Sequence, residues 1–204
     1  FQMGTLGSDL KLEIERPVTQ ITVSRPFWLG QTEVTQAQWQ SVMGNNPSSF
    51  KGDTLPVEQV SWVDAMEFCR RLTERDRAAG VLPQGYGYTL PTEAQWEYAC
   101  RAGTTGDYAG NLDGMAWYDK NSGGRTHPAG TKQANAWGFH DMHGNVFEWT
   151  QSWHGTYPGG SVTDYVGPAS SFSRVFRGGS WSNDASYCRS ADRGLMVPDR
   201  SPIL

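Results

Sequence analysis

The sequence predicts a loop-rich fold in which a few helices are combined with short strands and many turns. Charged residues make up only 19% of the chain, whereas glycines number 24 and tryptophans 9. Aromatic packing between short elements fits this composition better than long helices do. The stretch from 103 to 178 is rich in Gly, Asn, Asp and Ser, which predicts irregular backbone held by side-chain anchors rather than by a sheet. At 204 residues the chain can bury a sizeable core, so we assign residues 1–204 to a single domain.

Three segments carry the apolar spacing of helices: Gln36–Met43, Val63–Arg77 and Thr92–Arg101. Thr35 can cap the first of them, and Gly80 follows the second as a stop signal. The third begins with a capping box, in which Thr92 is followed three residues later by Gln95. We interpret all three helices as scaffold rather than as parts of a site.

The charge balance makes nucleic acid an unexpected partner. The chain has 17 Lys and Arg against 21 Asp and Glu, with no dense basic cluster, so it offers no positive field to phosphate groups. No apolar run approaches the roughly 20 residues that cross a bilayer. We therefore expect a soluble chain without a membrane span.

The motif Gly144-Asn145-Val146-Phe147-Glu148-Trp149 makes calcium a candidate cofactor. Asn145 and Glu148, with the backbone carbonyl groups of Gly144 and Val146, offer the hard oxygen ligands that calcium prefers. The same pattern is equally consistent with hydrogen bonds to loop amides, with the aromatic side chains filling the core. One segment cannot complete a shell of about six to eight ligands without water. No cofactor is required by the sequence, and calcium stays an expectation.

Other chemistry is poorly supported. His140 and His143 are three residues apart, but the glycines around them favour a turn over a helix face, and no metal-binding motif accompanies them. Arg189 could lower the pKa of the Cys188 thiol, yet no histidine lies close in sequence to act as a base. The sequence therefore predicts no catalytic residue.

Six short motifs run in order along nearly the whole chain: Phe1-x-Met3-Gly4, Glu33-Val34-Thr35, Pro56-Val57 with Val60-Ser61-Trp62, Leu90–Arg101, Gly144–Trp149 and Arg177-Gly178-Gly179-Ser180-Trp181. Together they resemble the formylglycine-generating-enzyme, or sulfatase-modifying-factor, family. The resemblance implies an α+β fold of the C-type lectin type found in that family, with little regular secondary structure.

The resemblance also bears on chemistry through the cysteines. Enzymes of the family use a pair of active-site cysteines near the C-terminal end to hold copper and activate oxygen, but no cysteine lies between Trp181 and Cys188. Cys100 and Cys188 occupy the places of the family's structural disulfide, which leaves Cys69 without a partner. The resemblance therefore implies a protein without the copper pair, and we expect it not to be an enzyme.

The C-terminal segment, about 181–204, resembles that of variable proteins of diversity-generating retroelements. In those proteins a fixed Gly-Gly-Ser-Trp and Cys-Arg-Ser-Ala framework alternates with positions of massive sequence variation. The residues in these intervals, here called the interval residues, are the expected ligand-binding positions: Ser182, Asn183, Asp184, Ser186, Tyr187, Gly194, Leu195, Met196, Ser201 and Ile203. Aromatic and aliphatic members would supply contact area, and polar members adaptable hydrogen bonds.

This resemblance predicts a non-catalytic binding protein of the receptor or adhesion type. Its ligand would be a protein or another surface macromolecule, and its place the cell surface or the extracellular space, with cytoplasmic or phage-borne locations as alternatives. Two other functions stay open: an oxidoreductase or maturation factor of the same fold without the copper pair, and a structural module in which Leu195 or Ile203 belongs to the core.

Overall fold

The computed structural model describes residues 1–5 and 10–202. Six strands occur in chain order: β1 (Gln2–Met3), β2 (Thr19–Thr22), β3 (Glu148–Trp153), β4 (Ser161–Thr163), β5 (Arg174–Arg177) and β6 (Gly194–Met196). Four helices accompany them: α1 (Gln36–Met43), α2 (Trp62–Ala78), α3 (Glu93–Arg101) and α4 (Leu112–Met115), with 3-10 turns at Leu10–Glu15 and Ala185–Cys188. Ile203, one of the interval residues, lies outside the described part of the chain.

The strands form two three-stranded sheets. In the first, β2 pairs antiparallel with β1 and parallel with β4. In the second, β5 lies between β3 and β6 and is antiparallel to both, with Phe176 opposite Trp149 on one side and Gly194 on the other. This second sheet joins the Gly144–Trp149 motif to the C-terminal segment.

The three predicted helices are confirmed, and each begins with a capping box. The side chains of Thr35, Ser61 and Thr92 accept hydrogen bonds from the backbone N–H three residues later. In return, the backbone N–H of each cap residue donates to the side-chain oxygen at that third position. These contacts are local, so the sequence could indicate them without knowledge of the fold.

The expectation that the stretch 103–178 contains no sheet is wrong. Strands β3, β4 and β5 all lie within it. They are only three to six residues long and are bounded by loops, so their signal was diluted by the Gly and Ser around them. Burial makes them strands: Trp149 and Val175 face the core, where unpaired backbone groups would be costly.

The largest apolar cluster connects α1, α2 and β3. Trp39 stacks on Phe68 with ring centroids 5.1 Å apart, and Trp149 packs beside them. Trp96 of α3 belongs to a separate cluster with Met142. Among the described helices, none is long and apolar enough to span a membrane.

Candidate binding surface and cleft

Arg177, which immediately precedes the Gly-Gly-Ser-Trp motif, holds the C-terminal segment from inside. Its side chain is fully buried and donates hydrogen bonds to the Glu97 carboxylate and to the backbone carbonyl groups of Ser190, Ala191 and Asp192. The bond to the Ser190 carbonyl is 2.9 Å long and the bond to the Ala191 carbonyl 2.6 Å. One side chain thus joins helix α3 to the backbone of the segment.

Two further arginines repeat this arrangement. Arg193 forms a bidentate pair with Glu93 at 2.6 and 2.8 Å, and Arg189 forms one with Glu15 at 2.6 and 3.0 Å. Burial alone would raise the pKa of Glu93, but the guanidinium groups of Arg193 and Arg177 hold that pKa below its ordinary value. We call these three arginines, with Glu15, Glu93 and Glu97, the arginine framework.

Between the framework positions several interval residues face outward. Tyr187 is 49% exposed and Leu195 43%, while the fixed residues 188–191 are buried. Ser182, Asp184 and Ser186 are also exposed. The segment therefore alternates between buried anchors and exposed side chains, and Leu195 is not a core residue.

The polar interval residues also shape their own turn. Ser180 donates to the side chain of Asn183 at 2.7 Å, and Asp184 accepts from the backbone N–H of Ser186 at 2.8 Å. Asp184 caps the 3-10 turn Ala185–Cys188 in this way. Asn183 and Asp184 therefore already form local hydrogen bonds in the absence of a ligand.

Two interval residues on β6 are placed differently from the expectation. A Cβ added at Gly194 would lie 1.9 Å from Cε2 of Phe176, so a larger residue at this position would require the Phe176 ring to move. Met196 is partly buried and packs against the large apolar cluster. Ser201 is half-buried. The outward apolar surface of the segment thus depends chiefly on Tyr187 and Leu195.

The disulfide between Cys100 and Cys188 is not formed, and all three cysteines are free, buried thiols. His143 is packed against both residues: its Nε2 is 3.7 Å from Sγ of Cys100, and its Nδ1 is 2.8 Å from the Cys188 carbonyl oxygen. Burial raises the pKa of both thiols to about 12 and lowers the pKa of His143 to about 4. The buried His143 imidazole thus packs directly against the Cys100 thiol.

These residues do not fit the copper centre of the family's enzymes. The resemblance places the copper pair near the C-terminal end, but no cysteine lies between Trp181 and Cys188. Within residues 1–5 and 10–202, no group of three or more His, Cys, Asp or Glu side chains is placed to hold a metal ion. We therefore derive no reaction step through copper.

The residues suggested for calcium have protein partners. Asn145 donates to the Glu33 carboxylate at 2.7 Å and accepts from the backbone N–H of His127 at 3.0 Å. Glu148 accepts from the indole N–H of Trp96 at 2.9 Å. These contacts, with the buried Trp149, match the alternative in which the motif closes a loop and fills the core.

A large cleft that the sequence did not predict lies between the segment 26–34 and helix α2. Its volume is about 1450 Å³, and apolar and aromatic side chains dominate its walls. Glu33 and Glu148 line it. Burial, followed by the charges of Asp141 and Glu148, raises the pKa of Glu33 well above its usual range, and burial is the main cause that raises the pKa of Glu148 to about 7. The apolar run Pro26–Leu29 was the only local hint of this wall.

Comparison with known proteins supports the resemblance found in the motifs. The chain is 33% identical over 226 residues to the chaperone protein LppX of Paenibacillus barcinonensis, covering 85% of this chain and 78% of the relative. It is 30% identical over 219 residues to the formylglycine-generating enzyme of Mus musculus, covering 97% of this chain but only 53% of the enzyme. The family also contains proteins named as inactive, such as the inactive C-alpha-formylglycine-generating enzyme 2 of Bos taurus.

Among solved structures, variable protein 1 of Treponema denticola matches with a TM-score of 0.84 and 33% identity, over 99% of this chain and 88% of that one. This match confirms the predicted α+β fold of the C-type lectin-like, formylglycine-generating-enzyme type. The family model described as the sulfatase-modifying factor enzyme 1-like domain matches residues 1–203. The chain belongs to the sulfatase-modifying factor enzyme 1-like, or formylglycine-generating-enzyme, family.

Proposed function

We propose that this chain is a non-catalytic ligand-binding protein that displays a diversified C-terminal surface on a fixed scaffold, as variable proteins of diversity-generating retroelements do. Its ligand is a protein or another surface macromolecule, met at the cell surface or outside the cell. The similarity to variable protein 1 of Treponema denticola supports this function over the whole described fold.

The observation that carries the proposal is the alternation of burial along the C-terminal segment. The arginine framework binds the segment to helix α3 and to Glu15 through contacts that lie beneath its surface. Tyr187 and Leu195 are exposed and form no part of that framework. Substitution at these two positions would therefore change the surface while the anchors stay in place, which a diversified binding protein requires.

The alternative is an oxidoreductase or maturation factor of the same fold without the copper pair. The similarity to LppX, which is named a chaperone protein, favours the maturation branch. The oxidative branch has the weaker support, because no cysteine lies between Trp181 and Cys188, where the resemblance implies the copper pair. A maturation factor would also bind another protein through an exposed apolar surface. The maturation factor and the diversified binding protein therefore differ in whether the sequence of that surface varies.

Calcium at Asn145 and Glu148 stays a proposal of its own. Glu148 has a carboxylate with a single described side-chain donor, Trp96, so a cation could still be accommodated beside it. Thermal unfolding with calcium chloride and with a chelator tests the idea. A rise in melting temperature with calcium that Glu148→Gln abolishes would support a site, and identical curves would exclude a stabilising one.

Population sequencing tests the proposed function directly. The DNA that encodes residues 181–204 is sequenced deeply in a population of the source organism or its virus. We expect substitutions to concentrate at the codons of Ser182, Tyr187 and Leu195, while those of Cys188 and Arg189 stay fixed. A uniform segment would contradict diversification and favour a fixed-specificity binder or maturation factor.

Two display libraries test whether the exposed positions tolerate substitution better than the arginine framework does. Tyr187 and Leu195 are randomised in one library, and Arg177 and Arg193 in a matched one, with surface display as the measure of folding. We expect most members of the first library to fold and most of the second to fail. Equal failure in both would mean that the exposed positions are structural, which would defeat the proposal.

A further inference from the structure

The cleft has no part in the proposed function, and its residues still need an explanation. Apart from Pro202, none of its described lining residues belongs to the C-terminal segment. Its mouth carries large apolar side chains exposed to solvent, among them Trp28 at 79% and Tyr86 at 50%. Exposed aromatic residues gathered around one concavity, rather than scattered, indicate a place where a ligand covers them.

Two of the rings at the mouth pack against each other and leave much of their surface exposed to solvent. Trp28 and Tyr86 face each other with centroids 5.2 Å apart and planes inclined by 51°. Tyr88 lies on the same rim and donates its hydroxyl to Asp76 at 2.9 Å. Electron-rich ring faces attract ammonium and guanidinium groups, most strongly where water is excluded.

The floor of the cleft holds two carboxyl groups, Glu33 and Glu148, that have no cationic partner in the described part of the chain. Glu33 accepts hydrogen bonds from the Val146 backbone N–H at 3.0 Å and from the Asn145 amide at 2.7 Å, both neutral donors. Glu148 accepts from the neutral Trp96 indole. Asp141, whose charge acts on both glutamates, keeps a buried Oδ1 atom without a hydrogen-bond partner in the described part of the chain. Buried carboxylates of this kind are costly unless a positive group joins them.

The basic side chains that line the cleft do not supply that group. Arg75 is committed to Asp76 at 2.8 Å, on the rim. His140 is engaged through Nδ1 with the Lys132 carbonyl oxygen at 2.8 Å. Neither basic side chain of the described lining therefore pairs with Glu33 or Glu148, which leaves these carboxyl groups open to a proton or to a cation from outside the chain.

We propose that the cleft binds an organic cation, an amine or guanidinium group carried on an apolar or aromatic body. The charged group reaches the Glu33 and Glu148 carboxylates, and the body lies against Trp28 and Tyr86 at the mouth. The same chemistry is found in a free small-molecule amine and in an arginine or lysine side chain of a peptide. This site is separate from the C-terminal surface, so either can fail without the other.

Calorimetric titration with three probes that share a phenyl ring on a two-carbon linker tests the charge requirement. The probes are phenethylammonium, its neutral analogue 2-phenylethanol, and the anion 3-phenylpropionate. We expect the ammonium compound to bind about tenfold or more tightly than the alcohol, since a charge-assisted hydrogen bond is lost in the neutral probe, and the anion not to bind. Equal affinity for amine and alcohol, or no binding of any probe, would overturn the proposal.

Variants locate the binding. Glu148→Gln keeps the shape and an acceptor for Trp96, and we expect it to weaken phenethylammonium about tenfold while leaving the alcohol unchanged. Trp28→Ala removes an exposed ring and should weaken both probes. Phe172→Ala is the control, because Phe172 is 93% exposed but does not line the cleft. If Phe172→Ala weakens binding as much as Trp28→Ala does, the binding is adhesion to exposed rings and the proposal fails.

Two further arms identify the source of the cation. A blocked arginine-containing tripeptide that binds more tightly than phenethylammonium indicates a peptide ligand, and the reverse order indicates a small-molecule amine. Calcium chloride is titrated in parallel. Calcium binding without amine binding would overturn the organic-cation site in favour of a metal site. If Glu148→Gln fails to fold, Trp28→Ala and the neutral alcohol still decide the outcome.

Discussion

The C-terminal segment and the cleft both hold buried carboxyl groups, but they satisfy them in opposite ways. Beneath the segment, Glu93 and Glu97 are joined to Arg177 and Arg193, and the pKa of Glu93 is lowered. In the cleft, Glu33 meets only neutral donors in the described structure, and its pKa is raised well above the usual range. Paired charges hold an element in place, whereas unpaired ones favour a proton or a bound cation.

Removing a framework arginine should have the largest effect. Arg177→Met leaves the buried carboxylates of Glu93 and Glu97 with fewer positive partners, so we expect a loss of about 3–5 kcal/mol in unfolding free energy. Urea denaturation measures it. The same change at Arg70, which forms exposed ion pairs with Glu67 and Glu74, should cost far less, because water screens exposed ion pairs. Equal losses at both sites would remove the distinction between framework and surface.

Gly194→Ala tests how tightly β6 is packed where the segment leaves the framework. The added methyl group would overlap the ring of Phe176, which must move, and we expect a cost of about 1–3 kcal/mol. Gly87→Ala is the matched control, because its Cβ would lie an ordinary 3.5 Å from the Thr73 side chain. Denaturation curves for the two variants that shift alike would mean that β6 adjusts freely.

The contribution of the cleft carboxyl groups to stability should fall as the pH rises, opposite to that of Glu93, whose pKa is lowered. Burial raises the pKa of Glu148 from 4.5 to about 7, so the folded state binds this proton more tightly than the unfolded state does. Its contribution to stability is full below about pH 4.5 and is lost as the pH rises through about 7.

Melting temperatures of the wild type and Glu148→Gln measure this trend. We expect the variant to gain on the wild type steadily between pH 5 and pH 8, because glutamine never carries the buried charge. A difference in melting temperature that does not change with pH would show that folding does not shift the pKa of Glu148. Disappearance of the trend on addition of phenethylammonium would connect it to the cleft.

Substitution of the exposed interval residues should change stability little. Tyr187→Ala and Leu195→Ala each remove an exposed side chain, and we expect shifts within about 0.5 kcal/mol, or a few degrees in melting temperature. Val175→Ala is the control, since Val175 pairs with Leu195 across the sheet but is fully buried, and it should cost about 2 kcal/mol. Unfolding of the Tyr187 or Leu195 variants would place these residues in the core.

The free thiols predict no response of stability to reductant. With the thiols of Cys100 and Cys188 reduced, the melting temperature should be the same with and without dithiothreitol. A thiol reagent should label all three cysteines after unfolding without prior reduction, and label them slowly in the folded state because they are buried. If only one cysteine is labelled in the unfolded chain, the other two form a disulfide, and the prediction of free thiols is wrong.

The sequence by itself determined the features that depend on neighbours along the chain. The capping boxes at Thr35 and Thr92 span three residues, and the short motifs are contiguous, so helices and family could be predicted from them. The sequence also named Tyr187 and Leu195 as candidates for a binding surface, but their exposure was established by the structure. Strands β3 and β5 were missed because a few residues among glycines carry little periodic signal.

Only the tertiary structure decided which charges meet. Arg189 pairs with Glu15 across 174 positions, and Arg193 with Glu93 across 100. The fold also brings Glu33 to Asn145, 112 positions away, and thereby leaves carboxyls without a cation beside the aromatic wall of the cleft. Hydrogen bonds between residues far apart in sequence depend on the tertiary fold, and local sequence patterns do not indicate which distant residues meet. For the same reason the place of Gly194 against Phe176, and of His143 beside Cys100, came from packing alone.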